Sequence, residues 1–388
     1  MATKVLLLGG TGVLSRDVML LAVKHGYEVF ILNRGKRQLF LPPEVHVLKA
    51  NVKNPEEVRE LVKDMAFDVV VDFLSYVPKD IQRSLEIFAG KCRQFIFISS
   101  ACAYRRAKGD GIITEDSPLI NPAWDYSVNK VECERLLIKK CKEADIDYTI
   151  VRPYITYGDT RIPYGIMPSY GLHWSLAGRI LSGKPVLMWD DGEALCTITH
   201  TSDFAKGVVG LLGNPQAYNE AFHVVGDEVC SWKEMIHIIG DILNKKPDTV
   251  AIPASYIADK LPEYRGMLLG DRALDAVFDN SKIKRVVPEF VCTTSLREGI
   301  ERTLQHYRTN DYLGGIDYQW DAQMDRLIAG YLKGSEREKR KLKFVDYLGR
   351  ATGKEKRIYS RYRYMPFPLI ESFEFAERVW NRFSKIGR

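Results

Sequence analysis

Apolar and polar positions follow two alternating patterns through residues 1–153. Short, nearly continuous apolar runs are each followed by a longer segment in which apolar side chains recur with helical spacing. A continuous apolar run is typical of a strand buried on both faces, and the longer period indicates an amphipathic helix. The predicted strands are 5–8, 28–32, 45–49, 68–74, 94–100 and 148–153, and the predicted helices are 17–25, 55–65, 80–88 and 126–142.

This alternation predicts an α/β fold built on a doubly wound parallel sheet of the Rossmann type. Parallel strands need crossover connections, and crossover helices cover both faces of the sheet. Beyond Tyr157 the alternation ends, and the Gly-, Pro-, Tyr- and Trp-rich segment 158–190 predicts a loop-and-helix cap over the carboxyl ends of the strands. We expect a Rossmann domain over 1–153, which later segments can rejoin, a smaller α/β substrate domain over 154–310, and a basic helical extension over 311–388.

Composition narrows the class of protein. The chain has 388 residues, of which 46% are hydrophobic and 27% charged, as expected for a globular protein of more than one domain. The first strand begins so close to Met1 that no signal peptide is expected, and no apolar run reaches the roughly 18 residues of a membrane span. Seven scattered cysteines without a CxxC pair favour a reducing compartment, with neither a disulfide framework nor a metal site. These features predict a cytoplasmic location.

The positive charge is concentrated near the carboxyl terminus. The net charge is +6, and residues 333–388 hold sixteen Lys or Arg against seven Asp or Glu. The remainder therefore gives no electrostatic indication of nucleic-acid binding. The charge-dense run 333–343 favours a solvated helix face. Residues 366–388 predict an amphipathic helix that packs on its own domain or a second subunit, with attachment to a membrane surface as the weaker alternative.

The stretch Lys4–Ser15, KVLLLGGTGVLS, predicts a strand, a glycine turn and the start of a helix. Glycine permits the backbone angles of such a turn and lets the backbone approach a pyrophosphate, which the N–H groups of the helix start can bind. The stretch predicts a dinucleotide site, and an ordinary βα turn is the alternative. The expected cofactor-binding residues are Gly9, Gly10, Thr11, Gly12, Val13, Leu14, Asn33, Arg34, Asn51, Val52, Phe73, Tyr126, Lys130 and Pro153.

The end of the second strand bears on the choice of cofactor. An acidic residue there would accept hydrogen bonds from the ribose hydroxyls of NAD, whereas this chain has Asn33 and Arg34, followed by Lys36 and Arg37. An amide and a guanidinium suit a 2′-phosphate, which favours NADP. If Arg34 stacks on adenine or points into solvent instead, NAD remains the alternative.

Tyr126 and Lys130 are spaced to lie on one face of a helix. A lysine ammonium and a nicotinamide cation beside a phenol favour the phenolate, so the pair predicts a tyrosine whose pKa is lowered towards neutrality and which can accept a proton. Ser99 and Ser100 end the preceding strand, and a hydroxyl there can hydrogen-bond the reacting oxygen of a substrate.

Taken together these segments resemble the extended short-chain dehydrogenase/reductases, in particular the nucleotide-sugar epimerases and dehydratases. The resemblance covers residues 1 to about 308. It implies that Tyr126 is the acid/base, that Lys130 binds the nicotinamide ribose and tunes Tyr126, and that Ser100 completes the triad. Ser15 replaces the usual third glycine, and Asn33 replaces the usual acid. The matching motifs are GGTGVLS (9–15), ISSACAY (98–104), YSVNK (126–130), VRPYITYG (151–158), HTSDFAKG (200–207) and FDNSKIKRVVPEF (278–290).

The residues after Ser100 discriminate among reactions within that family. Sugar 4,6-dehydratases typically carry an acidic pair there, whereas this chain has Ala101 and Cys102. The SSAC-x-Y arrangement is similar to that of GDP-mannose 3,5-epimerase, and GDP-fucose synthase has a similarly placed cysteine. The resemblance implies that Cys102 is an acid/base on a carbon next to a transient ketone, with His173 as the opposing group. A buried structural cysteine and a packing histidine are the alternatives.

We therefore expect an NAD(P)-dependent nucleotide-sugar epimerase that acts through a transient keto-sugar. A nucleotide-sugar reductase or atypical dehydratase is one alternative, and a redox-inert member that binds RNA or protein is another. Family analogy suggests a homodimer through the helix that carries Tyr126 and the neighbouring helix. Nothing in the sequence separates the candidate partners of the substrate phosphates, which are Arg161, Arg179, Lys184, Arg265 and Arg272.

Overall fold

The structure is a computed structural model that describes residues 2–35, 41–107, 109–332, 340–366 and 369–370. The expectations for Lys36, Arg37 and most of the amphipathic segment 366–388 lie outside the described residues. The strands are β1 (Lys4–Leu8), β2 (Glu28–Asn33), β3 (His46–Lys49), β4 (Phe67–Asp72), β5 (Cys92–Ile98), β6 (Asp147–Arg152), β7 (Ile155–Tyr157), β8 (Val186–Trp189), β9 (Leu195–His200), β10 (Glu220–His223), β11 (Glu228–Ser231) and β12 (Thr249–Ile252).

Helices connect or flank these strands. They are α1 (Val13–Lys24), α2 (Pro55–Leu61), α3 (Pro78–Phe88), α4 (Asp125–Ala144), α5 (Trp174–Ser182), α6 (Thr201–Leu211), α7 (Trp232–Ile242), α8 (Ala254–Lys260), α9 (Arg265–Met267), α10 (Ser281–Val286), α11 (Leu296–Thr309), α12 (Tyr318–Tyr331) and α13 (Gly353–Tyr364). None of the helices in the described ranges is both long enough and apolar enough to cross a membrane.

A seven-stranded parallel sheet organises the first part of the chain. Its order is β10-β6-β5-β4-β1-β2-β3, so the chain winds outwards in both directions from β1 and β4. The predicted Rossmann-type sheet is confirmed, and the predicted strands and helices are present with their ends shifted by a few residues. Apolar clusters on the two faces of the sheet hold the helices, as expected for strands buried on both sides.

The seventh strand comes from beyond the predicted alternation. β10 pairs in parallel with β6, which places Phe222 opposite Val151, and the α6 that precedes it packs against α1. The segment 201–223 thus returns to the first layer of the molecule.

The second part of the chain is built around two small sheets, β11-β9-β7 and β12-β8. The segment 158–190 contributes α5, whose residues from Trp174 to Ile180 are all buried. This helix therefore belongs to a core and is not a superficial cover. The described part of the extension over 311–388 enters the same core, because Trp320 and Tyr359 are buried among residues of α5 and β8.

A buried network of charges joins α5 to the extension. The Arg179 guanidinium and the Lys184 ammonium, both at most 1% exposed, each form ion pairs with the carboxylates of Asp321 and Asp325. The Tyr347 hydroxyl donates to Asp321 at 2.7 Å. Two cations thus face two carboxylates in a site without solvent, which ties the extension to the rest of the chain.

Candidate active site

The glycine turn forms the floor of a groove at the carboxyl end of β1. Gly9 and Gly10 have φ of 118° and 70°, angles that side chains other than glycine rarely adopt. A Cβ on Gly10 would lie 2.5 Å from Cγ2 of Ile31, so the neighbouring strand also excludes a side chain there. The turn leads directly into α1, whose amino terminus begins after Gly12.

Ser15, which replaces the usual third glycine, fits without disturbing this helix start. Its side chain is buried, and its Oγ accepts a hydrogen bond from the Gly12 N–H at 2.9 Å. The serine therefore closes the first turn of α1 and satisfies the Gly12 N–H.

The groove has a volume of about 750 Å³, which is large enough for a drug-sized ligand. It brings together many of the predicted cofactor-binding residues, from four neighbouring strand ends. Sequence reasoning missed Tyr76, Asp80 and Arg83, which also line the groove. The predicted residues that line it are Gly9, Thr11, Gly12, Asn33, Arg34, Asn51, Val52 and Phe73.

The polar residues at the strand ends shape one edge of the groove. Asn33 Oδ1 accepts from the Gly35 N–H at 2.7 Å, and Asn51 Oδ1 accepts from the Lys53 N–H at 3.2 Å. Arg34 is exposed at this edge. The end of β2 therefore presents an amide bound to its own turn and an exposed guanidinium, and Asn33 places no carboxylate there.

The turn after β4 positions the lysine of the predicted triad. Asp72 is fully buried and accepts from the N–H groups of Leu74 and Ser75 at 2.8 and 3.0 Å, and from the Ser75 hydroxyl at 2.6 Å. Lys130 Nζ donates to the carbonyl of Ser75 at 2.8 Å and to that of Ile98 at 2.9 Å. An acid at the end of a buried strand was the sequence signal for this turn, and sequence reasoning did not use it.

Burial changes the acid–base properties of Lys130 and Tyr126. Loss of solvation lowers the pKa of Lys130 to about 8 and raises the pKa of Tyr126, while a hydrogen bond with the Ser100 side chain lowers the latter. Lys130 Nζ lies 5.9 Å from the centroid of the Tyr126 ring. In the protein alone, the expected fall in the pKa of Tyr126 towards neutrality does not occur, because burial outweighs the neighbouring charges.

Ser100 and Cys102 lie at the carboxyl end of β5, next to this pair. Ser100 Oγ accepts from the Cys102 N–H at 3.2 Å and so begins a short 3₁₀ turn, Ala101–Ala103. The Cys102 thiol is buried, which raises the pKa of the thiol, and its Sγ donates to Asp271 Oδ2 at 3.6 Å. The thiol is thus protonated at neutral pH and faces a carboxylate.

Asp271 is the centre of a buried polar cluster that the sequence did not reveal. Its carboxylate forms ion pairs with Arg106 and Arg272. The Tyr154 hydroxyl donates to Asp271 at 3.3 Å, and it accepts from Arg106 at 3.2 Å and from Arg272 at 3.3 Å. The two arginines and the carboxylate therefore hold a net positive charge beside Cys102.

Arg161 and His173 lie near the same cluster. Arg161 forms no ion pair within the described residues, and its Nε donates to Met167 Sδ at 3.3 Å. Burial and the charge of Arg272 lower the pKa of Arg161. His173 is 3% exposed, and its Nδ1 lies 3.3 Å from the Ile162 carbonyl. A neutral imidazole in this position donates from Nδ1, which leaves Nε2 as the basic nitrogen.

The stability of the protein is expected to fall in acid partly through His173. Burial and the charge of Arg161 lower the pKa of His173 from 6.5 to about 4. As the pH falls, the unfolded chain therefore takes up this proton first, and the native state loses stability between about pH 6.5 and 4. From about pH 7 to pH 5 this amounts to about 2 kcal/mol. Denaturant unfolding at both pH values should show a loss smaller by that amount in His173→Gln, and equal losses would contradict the assignment.

The remaining candidate phosphate partners lie elsewhere. Arg179 and Lys184 are fully engaged in the ion pairs with Asp321 and Asp325, so they are unavailable to a ligand. Arg265 is exposed and pairs with Asp259 at 2.5 Å. Only Arg161 and Arg272 of the five lie at the cluster beside Cys102.

A Rossmann-type sheet with a glycine turn at β1, and with the serine, tyrosine and lysine at β5 and α4, defines the extended short-chain dehydrogenase/reductase class. The chain belongs to the NAD dependent epimerase/dehydratase family, whose sequence model matches residues 5–225.

Individual relatives differ in what their names describe. The chloroplast stem-loop binding protein of 41 kDa b of Arabidopsis thaliana is 26% identical over 238 residues, which cover 58% of this chain and 59% of that protein. The 2′-dehydrokanamycin reductase of Streptomyces kanamyceticus is 23% identical over 287 residues, covering 74% of this chain and 80% of the reductase.

Solved structures share the fold. The epimerase Mth375 of Methanothermobacter thermautotrophicus superposes with a TM-score of 0.67 at 18% identity, over 81% of this chain and 96% of its own. A UDP-glucuronic acid 4-epimerase from Bacillus cereus in complex with NAD gives a TM-score of 0.63 at 21% identity, over 79% and 97% of the two chains. At these identities the likeness establishes the fold alone.

Proposed function

We propose that the protein is an NAD(P)-dependent nucleotide-sugar epimerase that acts through a transient keto-sugar. The observation that carries this proposal is that Tyr126 is hydrogen-bonded with Ser100 at the carboxyl end of β5, and that Lys130 binds the carbonyl groups of Ile98 and of Ser75 in the turn after β4. Family membership supports the same reaction class.

The glycine turn, the start of α1 and the groove are the parts of the chain that fit a dinucleotide. Such a cofactor, when bound, accepts hydride from a sugar carbon and can return it. Tyr126 takes the proton of the sugar hydroxyl, and Ser100 binds the same oxygen. Lys130 positions the cofactor ribose and, held by two carbonyls, keeps its ammonium beside the tyrosine. Burial raises the pKa of Tyr126 in the protein alone, and the phenol would become a proton acceptor near neutral pH beside the positive charge that an oxidised dinucleotide would supply.

Cys102 and His173 are the proposed acid/base groups for proton exchange on a neighbouring carbon. The protonated Cys102 thiol can donate, and the neutral His173 imidazole can accept at Nε2. A keto-sugar acidifies the adjacent C–H bonds, so such exchange would invert a neighbouring centre. A reductase, which would carry out only the hydride transfer, is the alternative. The similarity to the 2′-dehydrokanamycin reductase of Streptomyces kanamyceticus supports it.

NADP is the cofactor we propose, with NAD as the alternative. Arg34 is exposed at the groove edge, and its guanidinium suits a 2′-phosphate. Arg34→Ala should weaken NADP binding by about 10- to 100-fold, as expected for a charge-assisted hydrogen bond, and leave NAD binding nearly unchanged. Titration calorimetry with both cofactors measures this, and an equal loss for NAD and NADP would contradict a role in phosphate recognition.

The function is tested by denaturing the purified protein and identifying any released dinucleotide by mass spectrometry. The stripped protein is then titrated with NAD, NADP and a panel of nucleotide sugars, while absorbance of the reduced nicotinamide is followed. Substrate-dependent formation of reduced cofactor and an epimerised product support the proposal. Failure to bind either dinucleotide would overturn it.

RNA binding is the second candidate, because one relative is named for stem-loop binding. A triad of Ser100, Tyr126 and Lys130 has no use in such a role, which favours the enzyme. Tight binding of a stem-loop RNA by the intact protein would favour this second candidate. A homodimer through α3 and α4 stays a prediction, to be tested by light scattering.

A further inference from the structure

The cluster beside Cys102 carries more positive charge than the protein itself neutralises. Arg106 and Arg272 form ion pairs with the single carboxylate of Asp271, and Arg161 lies near enough to Arg272 for the charge of Arg272 to lower the pKa of Arg161. Asp271 is fully buried, and Arg272 is 6% exposed with a buried Nε that lacks a hydrogen-bond partner. Burying a guanidinium without a counter-charge is costly, so the arrangement indicates that an anion completes it.

Arg272 is held in place by neighbouring aromatic residues. The backbone carbonyl of Arg272 accepts from the indole N–H groups of Trp189 and Trp232 at 2.9 and 3.1 Å. Its guanidinium lies 5.5 Å from the centroid of the Tyr154 ring. Rigid support of this kind lowers the entropy cost of binding a ligand.

The position of the cluster decides which part of a substrate it would contact. Asp271 contacts the Cys102 thiol, and the Cys102 N–H binds Ser100, which is the proposed partner of the reacting oxygen. Arg161 is close enough to Tyr126 and Cys102 for the charges to affect one another's pKa values. The cluster therefore faces the carbon that is oxidised and its neighbour. When that carbon is C4 of a sugar, the diphosphate is attached at C1 on the opposite side of the ring. The substituent of C5 then lies next to the oxidised carbon.

We propose that the substrate sugar carries a carboxylate next to the oxidised carbon, and that Arg161 and Arg272 bind this carboxylate. The inference rests on the proposed function and names its substrate class as nucleotide-linked uronic acids. Arg272, which is held by its ion pair with Asp271, orients the bound carboxylate. Arg161 supplies the uncompensated positive charge. Arginine suits this role because its planar donors match a carboxylate.

Binding to the cofactor-loaded protein tests the proposal with matched pairs of probes. The pairs are UDP-glucuronic acid with UDP-glucose and GDP-mannuronic acid with GDP-mannose, and UDP and GDP alone report on the diphosphate. In at least one pair the acid should bind about 10- to 100-fold more tightly than the neutral sugar. Equal affinities within both pairs, or no binding by any of the four sugars, would overturn the proposal.

Variants separate the carboxylate from the diphosphate. Arg161→Gln should remove most of the preference for the acid, because the guanidinium that binds the carboxylate is lost. It should leave the affinity for the free nucleoside diphosphate unchanged, and it removes no ion pair of the described structure. Arg297→Gln, which removes an exposed guanidinium 3.1 Å from Asp241, serves as the control and should keep the preference. An equal loss of affinity for the acid and for the free diphosphate in Arg161→Gln would show that the arginine binds phosphate, and would overturn the proposal.

A second variant guards against loss of folding at the buried position. Arg272→Lys keeps the charge beside Asp271 but not the planar donors, and it should lower the preference for the acid by part of the Arg161→Gln effect; an unchanged preference would exclude Arg272 from the site. If the protein binds dinucleotide and turns over neutral sugars, only this inference fails. If it binds no dinucleotide, the proposed function fails with it.

Discussion

Tyr126→Phe is expected to lower turnover by about 10²- to 10⁴-fold, the usual contribution of a general acid/base. The phenyl ring keeps the packing against Trp124, whose ring centroid lies 4.8 Å away, so only the hydroxyl is lost. Without it, the proton of the sugar hydroxyl has no acceptor beside Ser100. Turnover is measured with the nucleotide sugar that the binding panel identifies, and the dissociation constant of the cofactor is expected to change little.

Tyr218→Phe is the matched control for this experiment. Its hydroxyl donates to the Gly213 carbonyl at 3.4 Å, far along the chain from the site, and its loss should leave turnover unchanged. Wild-type turnover in Tyr126→Phe would remove the tyrosine from the mechanism. A loss of cofactor binding in that variant would instead indicate that the ring itself builds the groove.

Lys184→Met is expected to lower the free energy of unfolding by about 3–5 kcal/mol, because it leaves two buried carboxylates with a single cation. Lys184 Nζ contacts Asp321 at 2.7 Å and Asp325 at 2.6 Å, and its side chain is fully buried. Methionine fills the volume of the lysine stem, so the loss is electrostatic and not one of packing. Denaturant unfolding of the two proteins measures the difference.

Lys233→Met provides the comparison at the surface. Lys233 pairs with Glu193 at 2.6 Å, almost the same distance, but its side chain is 45% exposed. The cost there should be within about 1 kcal/mol, since water solvates both charges. Equal effects of the two substitutions would show that the network at Lys184 does not bind the extension to the core.

The parallel sheet and its crossover helices could be predicted because their sequence pattern is local. The apolar runs of β1 to β6 and the helical spacing between them are local properties, and parallel strands with crossover helices follow from them. The short β10 was missed because a segment such as Glu220–His223 is too brief to show a period. Its place beside β6 is decided by pairing across the sheet and by α6 packing on α1.

The candidate site divides in the same way. Gly9, Gly12, Tyr126 and Lys130 could be predicted from their spacing, because each belongs to one turn or one helix face. The turn at Asp72 and the cluster at Asp271 escaped notice, since acids at these positions have no meaning until the strands and the second layer bring them to Lys130 and Cys102.

The five candidate phosphate partners show most clearly what the sequence does not determine, because it does not tell where a basic side chain points in the folded protein. Lys184 is bound by Asp321, which lies 137 residues further along the chain, while Arg272 meets Cys102 through Asp271. The sequence by itself determined the parallel sheet, the glycine turn and the Tyr126–Lys130 pair, because these depend on contacts within a few residues. The tertiary structure alone decided which charges are compensated in the core and which face the site, because the free energy of a buried charge depends on the partners that folding brings to it.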